Sequence, residues 1–159
     1  MDMKTIKGDL LKLAHDGQFN VIVHGCNCFN TMGGGIAKTI RETYPQAYVA
    51  DCETISGDKN KLGTATVSKA NNARGEEFLI VNAYTQYNMS TGEDVFEYDA
   101  FQRLLNSWVD SPMAEANIGF PMIGMGLAGG DSKRILTMLR RFSKDIKKHG
   151  GSVTMVEFG

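Results

Sequence analysis

One pattern constrains this chain more than any other, and it occurs twice: an apolar run, a glycine-rich loop, then a helical periodicity. The first loop is Met32-Gly33-Gly34-Gly35-Ile36-Ala37 and the second is Ile123-Gly124-Met125-Gly126-Leu127-Ala128-Gly129-Gly130. Glycine tolerates positive φ and has no Cβ, so consecutive backbone N–H groups in such loops can turn toward one anion. The start of the helix that follows adds its dipole at the same place. Two such loops in one alternation predict a ligand that carries phosphate at more than one position.

The rest of the chain continues the alternation. A short strand begins near Thr5. Phe19 to Cys26 (FNVIVHGC) reads as a buried strand because Val21, Ile22 and Val23 are continuous and β-branched. A helix is predicted from Ile36 to about Ala50, with Pro45 marking a kink or an early stop. Leu62 to Ser68 and Phe78 to Ala83 are strands joined by a polar turn from Lys69 to Glu77. Glu97 to Val109 is a helix, Ile118 to Ile123 a strand, Asp131 to His149 a long helix and Ser152 to Phe158 a final strand. Such an order implies an α/β fold whose largely parallel sheet is covered on both faces. Ligands of these sheets sit outside the carboxyl ends of the strands, where both loops are expected.

Size and composition narrow the class. At 159 residues, with 42% hydrophobic and 22% charged, the chain has the make-up of one soluble globular domain spanning 1–159. A net charge of -1 argues against a general nucleic-acid or membrane-surface binder. The basic residues of the last helix, from Lys133 to Lys148, read as a solvated face. No apolar stretch has transmembrane length, and the start lacks a signal-peptide core. Three cysteines without repeated spacing suit a reducing compartment, so a cytoplasmic protein is expected.

The chemistry-bearing residues cluster around the loops. His24, Cys26 and Cys28 share one strand face, but no second ligand pair stands at finger-like spacing, so no metal is expected. G-x-G-x-x-G fails because Lys38 stands where the last glycine belongs, and no P-loop run exists. Asn27 offers an uncharged amide at a loop mouth. His24 is the one histidine near the crevice and reads equally as packed or catalytic. Asp131 and Asp9 each read as a helix cap, compatible with a place on the ligand side.

The ordered set Gly8-Asp9-Leu10, His24-Gly25-Cys26-Asn27-Cys28, Met32 to Ala37 and Pro121 to Asp131 resembles the macro domain. It is closest to the branch containing the ADP-ribose-1''-phosphate phosphatases of yeast and tailed phages. The resemblance spans essentially the whole chain. It implies a three-layer α/β/α fold around a mixed, mostly parallel sheet of about six strands. It implies that Asp9, within Gly8-Asp9-Leu10, meets the adenine amine and that Asn27, with Gly25 and Cys26 just before it, lies beside the distal ribose. It places Met32, Gly33, Gly34, Gly35, Ile36 and Ala37 around the distal ribose and its substituent. Gly124, Met125, Gly126, Leu127, Ala128, Gly129 and Gly130 would wrap the diphosphate, with Phe158 stacked on adenine. ADP-ribose or its 1''-phosphate is the expected ligand of a monomer with no cofactor, and His24, Asn27 and Asp131 are the catalytic candidates. Two other readings stay open: a module that only binds ADP-ribose, and a hydrolase of ADP-ribosylated protein or nucleic acid. For the last, Ala37 and Lys38 stand where an aspartate is usual in one branch. Ser132 replaces an aromatic common in phosphatase relatives.

Overall fold

The computed structural model describes residues 3–88, 95–126 and 128–158. Its strands are β1 (Lys4–Gly8), β2 (Val21–Cys26), β3 (Ala65–Asn71), β4 (Glu77–Tyr84), β5 (Asn117–Phe120) and β6 (Ser152–Phe158). The helices are α1 (Leu10–His15), α2 (Gly35–Thr43), α3 (Pro45–Cys52), α4 (Tyr98–Val109) and α5 (Ser132–Lys147). They form one six-stranded sheet in the order β1-β6-β5-β2-β4-β3. Every neighbouring pair is parallel except β3–β4, an antiparallel hairpin at one edge. The mixed, mostly parallel six-stranded sheet is as expected.

The Val21-Ile22-Val23 run is apolar throughout because both faces of β2 are covered. Val21 and Val23 pack with Phe101, Leu105, Ile135 and Leu139, beneath α4 and α5. Ile22 points the other way and packs with Leu10, Ile40 and Ala47, beneath α1, α2 and α3. The period-2 alternation of strand side chains thus splits one sequence run between two cores and creates three layers.

Several boundaries differ from the sequence reading. The helix expected from Ile36 to Ala50 is two helices divided at Tyr44-Pro45, because proline starts a helix readily but cannot continue one. The strand expected from Ile118 to Ile123 ends at Phe120, since Pro121 has no N–H for the ladder. The strand expected at Leu62 begins at Ala65: a short 3-10 turn covers Lys59–Lys61 and Gly63 lies at φ +80. The last helix starts at Ser132, with Asp131 as its cap, and the final strand has the expected bounds. Among the described residues no helix is long and apolar enough to cross a membrane.

Candidate functional site

The parallel strands β1, β6, β5, β2 and β4 all end at one edge of the sheet, and a cleft of about 550 Å³ opens there. The first loop enters it with Met32, Gly33, Gly34, Gly35, Ile36 and Ala37, and the end of β2 with Gly25, Cys26 and Asn27. Gly124, Gly126 and Ala128 of the second loop line the opposite wall. The two loops therefore face one crevice, as the alternation predicts. Met125, Gly129 and Gly130 do not line it, and Leu127 lies outside the described residues.

The first loop ends in an anion-binding geometry. Gly34 caps α2 with extended backbone, and no side chain accepts from the first N–H groups of that helix. Helix starts leave such donors unpaired, and here they border the cleft. Asn30 and Met32 both take positive φ, of 58° and 42°. Non-glycine residues hold that conformation only when surroundings enforce it. At Asn30 the enforcement comes from Lys61, 6% exposed, whose Nζ donates to Cys28 O at 3.0 Å and to Asn30 Oδ1 at 2.6 Å. Asn30 Oδ1 also accepts from Thr54 Oγ1, and its Nδ2 donates to Thr54 O. Asn27 donates from Nδ2 to Thr31 Oγ1 and accepts from Phe29 N on Oδ1, both at 2.8 Å. One of its two amide protons remains for a ligand.

His24 is not at the mouth of the crevice. It shares a strand face with Ile22 and Cys26, is fully buried, and lies beneath the cleft rather than along it. Its Nε2 donates to Oδ1 of Asn82, its partner across the β2–β4 ladder, at 2.6 Å. Burial lowers its pKa to about 4, against the smaller opposite effect of that hydrogen bond, so the ring is neutral near pH 7. The polar chain continues upward: Asn82 Nδ2 donates to Ala47 O and Thr66 Oγ1, and Thr66 Oγ1 meets Tyr84 OH at 3.1 Å. Tyr84 OH donates to Asp51 Oδ1 at 2.6 Å. Asp51 returns to the cleft, whose wall it joins.

Asp131 is a cap. Its Oδ1 accepts from the backbone N–H of Lys133 and Arg134, and it does not line the cleft. Asp9 caps α1 in the same way, accepting from Leu11 N and Lys12 N on Oδ1. It lines a second hollow with Gly8 and Phe158, at the ends of β1 and β6, where Gly8 and Phe158 are register partners. The Phe158 ring is 84% exposed there. The side chain of Leu10 belongs to the core, at 4% exposure. Among the described residues no cluster of three His, Cys, Asp or Glu could hold a metal ion.

Sequence reasoning missed Thr31, Asp51, Thr85 and Gln86, and it assigned no ligand contact to Pro121, Met122 and Ile123 of the second motif; all seven line the cleft. Thr85 Oγ1 is notable because the residue is 1% exposed and this oxygen has no hydrogen-bond partner among the described residues. A buried hydroxyl left unpaired beside a cleft fits a ligand that completes it.

An α/β/α sheet with two glycine loops closing on one cleft defines a phosphate-binding class, and the comparisons name it. The Macro domain profile matches residues 23–139, and this chain belongs to the macro domain family. It is 33% identical over 151 residues to an uncharacterized 17.5 kDa protein of Enterobacteria phage T4, covering 92% of this chain and 94% of that one. It is 28% identical over 136 residues to the ADP-ribose 1''-phosphate phosphatase of Lodderomyces elongisporus, with 81% and 85% covered. Among solved structures it superposes on Thermosipho africanus DarTG in complex with ADP-ribose with a TM-score of 0.75 at 14% identity. That match covers all of this chain (100%) and 42% of that one.

Proposed function

We propose that this protein binds ADP-ribose 1''-phosphate along the carboxyl edge of its sheet and hydrolyses it to ADP-ribose and phosphate. One observation carries the reading: both glycine loops line a single cleft, on the same sheet edge as the Gly8, Asp9 and Phe158 hollow. That edge suits a long ligand with adenine at one end and a phosphorylated ribose at the other. Phe158 offers a ring for adenine, and the second oxygen of Asp9 accepts from the adenine amine. Gly124, Gly126 and Ala128 follow the diphosphate. The free N–H groups at the start of α2 hold the terminal phosphate and stabilise the charge that grows there in the transition state. Asn27 and Thr85 orient the distal ribose or the attacking water. His24 acts from behind, through Asn82, as a positioning residue. The phosphatase name of the yeast relative supports the substrate.

Asp131 and Lys38 do not line the cleft, so nothing in the geometry favours the reading as a hydrolase of ADP-ribosylated macromolecules. The test is phosphate release from ADP-ribose 1''-phosphate, set beside calorimetric affinity for ADP-ribose, in wild type and Asn27→Ala. Wild type is expected to turn over, with Asn27→Ala about a hundredfold slower. Tight ADP-ribose binding with no release by wild type would leave only a binding module.

A further inference from the structure

Asp51 is a carboxylate in an unusual position. It is 1% exposed, lies near the end of α3, and forms part of the cleft wall together with Gly33, Gly34 and Thr85. No other aspartate or glutamate lines that cleft among the described residues. Nor does a lysine, arginine or histidine nitrogen lie within 4 Å of it there. The nearby Lys61 ammonium is committed to Cys28 O and Asn30 Oδ1. The hydrogen bond from Tyr84 OH fixes one carboxylate oxygen.

A buried, unpaired carboxylate beside a loop built for phosphate is a liability unless it carries a proton when the phosphate is bound. We propose that Asp51 is the general acid of the phosphatase reaction, an assignment that rests on the function proposed above. Water attacks phosphorus and forms the new P–O bond. The bond from phosphorus to O1'' breaks with its electron pair on that oxygen, and Asp51 delivers its proton there. One water proton stays on the phosphate and the other restores Asp51. The products are ADP-ribose and inorganic phosphate, with no other reactant.

The surroundings favour the protonated acid. Burial raises the Asp51 pKa above the usual carboxylate range, while the Tyr84 hydrogen bond and the Lys61 charge pull it down less strongly. The ionisable groups that face it are Tyr84 on β4, Cys26 on β2, Cys28 just beyond, Lys61 in the 3-10 turn and Tyr48 on α3. Burial pushes the Cys26 and Tyr84 pKa values upward, so both stay neutral near pH 7 and Asp51 is the group free to exchange a proton.

Asp51→Asn keeps an acceptor for Tyr84 and removes the acid. Its kcat should fall about a hundredfold with ADP-ribose affinity unchanged. The wild-type rate should decline as pH rises through the Asp51 pKa, and that limb should vanish in the variant. Tyr84→Phe removes the bond that favours the charged carboxylate, so the limb should move up by about one pH unit. This second variant decides the matter if Asp51→Asn fails to fold. In ¹⁸O-labelled water the label should appear in phosphate. An Asp51→Asn enzyme with the wild-type rate and pH profile, a limb unmoved in Tyr84→Phe, or label in ADP-ribose overturns the assignment and leaves the phosphatase reading intact. A wild type that releases no phosphate overturns both.

Discussion

The two glycine-rich loops face the same cleft but keep their shape by different means. The first is fastened by side chains reaching in from afar: Lys61 and Thr54 on Asn30, Tyr48 OH on Asn30 O, and Arg41 on Thr31 O. The second is fastened by its own backbone, with Gly130 N donating to Gly124 O at 2.7 Å and Met125 N to Met122 O at 3.1 Å. A Cβ on Gly124 would stand 2.5 Å from the Phe96 ring, and one on Gly130 only 2.6 Å from Gly124 O. A Cβ on Gly33 would meet nothing closer than Thr31 O at 3.9 Å. Glycine at positions 124 and 130 answers a demand of the fold, whereas at Gly33, as at Gly126 in the second loop, the protein has room for a side chain. At Gly33 its absence fits the close approach of the ligand proposed above.

The contrast is broken most severely by Gly130→Ala. Its methyl collides with backbone and with Ile135 Cδ1, so unfolding free energy in urea should drop by about 4 kcal/mol, with ADP-ribose binding lost. Gly33→Ala should leave stability within about 0.5 kcal/mol yet weaken ligand binding about tenfold. Equal stability losses in the two variants would erase the distinction.

Acid should act from the side of the first loop. His24 has a folded pKa of about 4 against 6.5 when unfolded, so between those values the unfolded chain binds more protons and stability falls as pH falls. The loss should approach about 3 kcal/mol by pH 4, and His24→Gln should remove most of that dependence in urea titrations at pH 7 and pH 4. Lys61→Met removes one of the two donors on Cys28 O and one of the two on Asn30 Oδ1, and should destabilise by about 2 kcal/mol. Hydrogen exchange sharpens this: amides of the first loop should lose protection while those of Gly129 and Gly130 keep theirs. Arg41→Ala removes one exposed hydrogen bond and a cation–π contact to Tyr48 at 3.9 Å, worth about 0.5 kcal/mol by thermal melts.

What the sequence disclosed was local. The glycine runs, the β-branched strand, the break at Pro45 and the caps Asp9 and Asp131 each follow from neighbours a few residues away. The misses arise at long range. Lys61 sits in the charged run Asp58-Lys59-Asn60-Lys61, in which no local pattern marks it for burial, and its ammonium is held by Cys28 O, 33 positions earlier. Asp51 looks like a polar helix end until Tyr84 comes to it across 33 positions. His24 illustrates the same limit: periodicity places it on a face with Ile22 and Cys26, but its pairing with Asn82, 58 positions on, settles that it points into the interior.

The place of β6 in the sheet has a consequence for how the molecule comes into being. β6 lies between β1 and β5, so Gly8 meets Phe158 only after the last strand has inserted itself into the sheet between them. A chain growing from the ribosome contains the residues of the first loop and α2 early, yet the hollow beside Asp9 waits for residue 158. Closing so distant a pair is a slow step, because loop-closure entropy must be overcome before the contact rewards it. The hollow proposed above for adenine thus forms later than the first loop, whose residues all precede it in the chain.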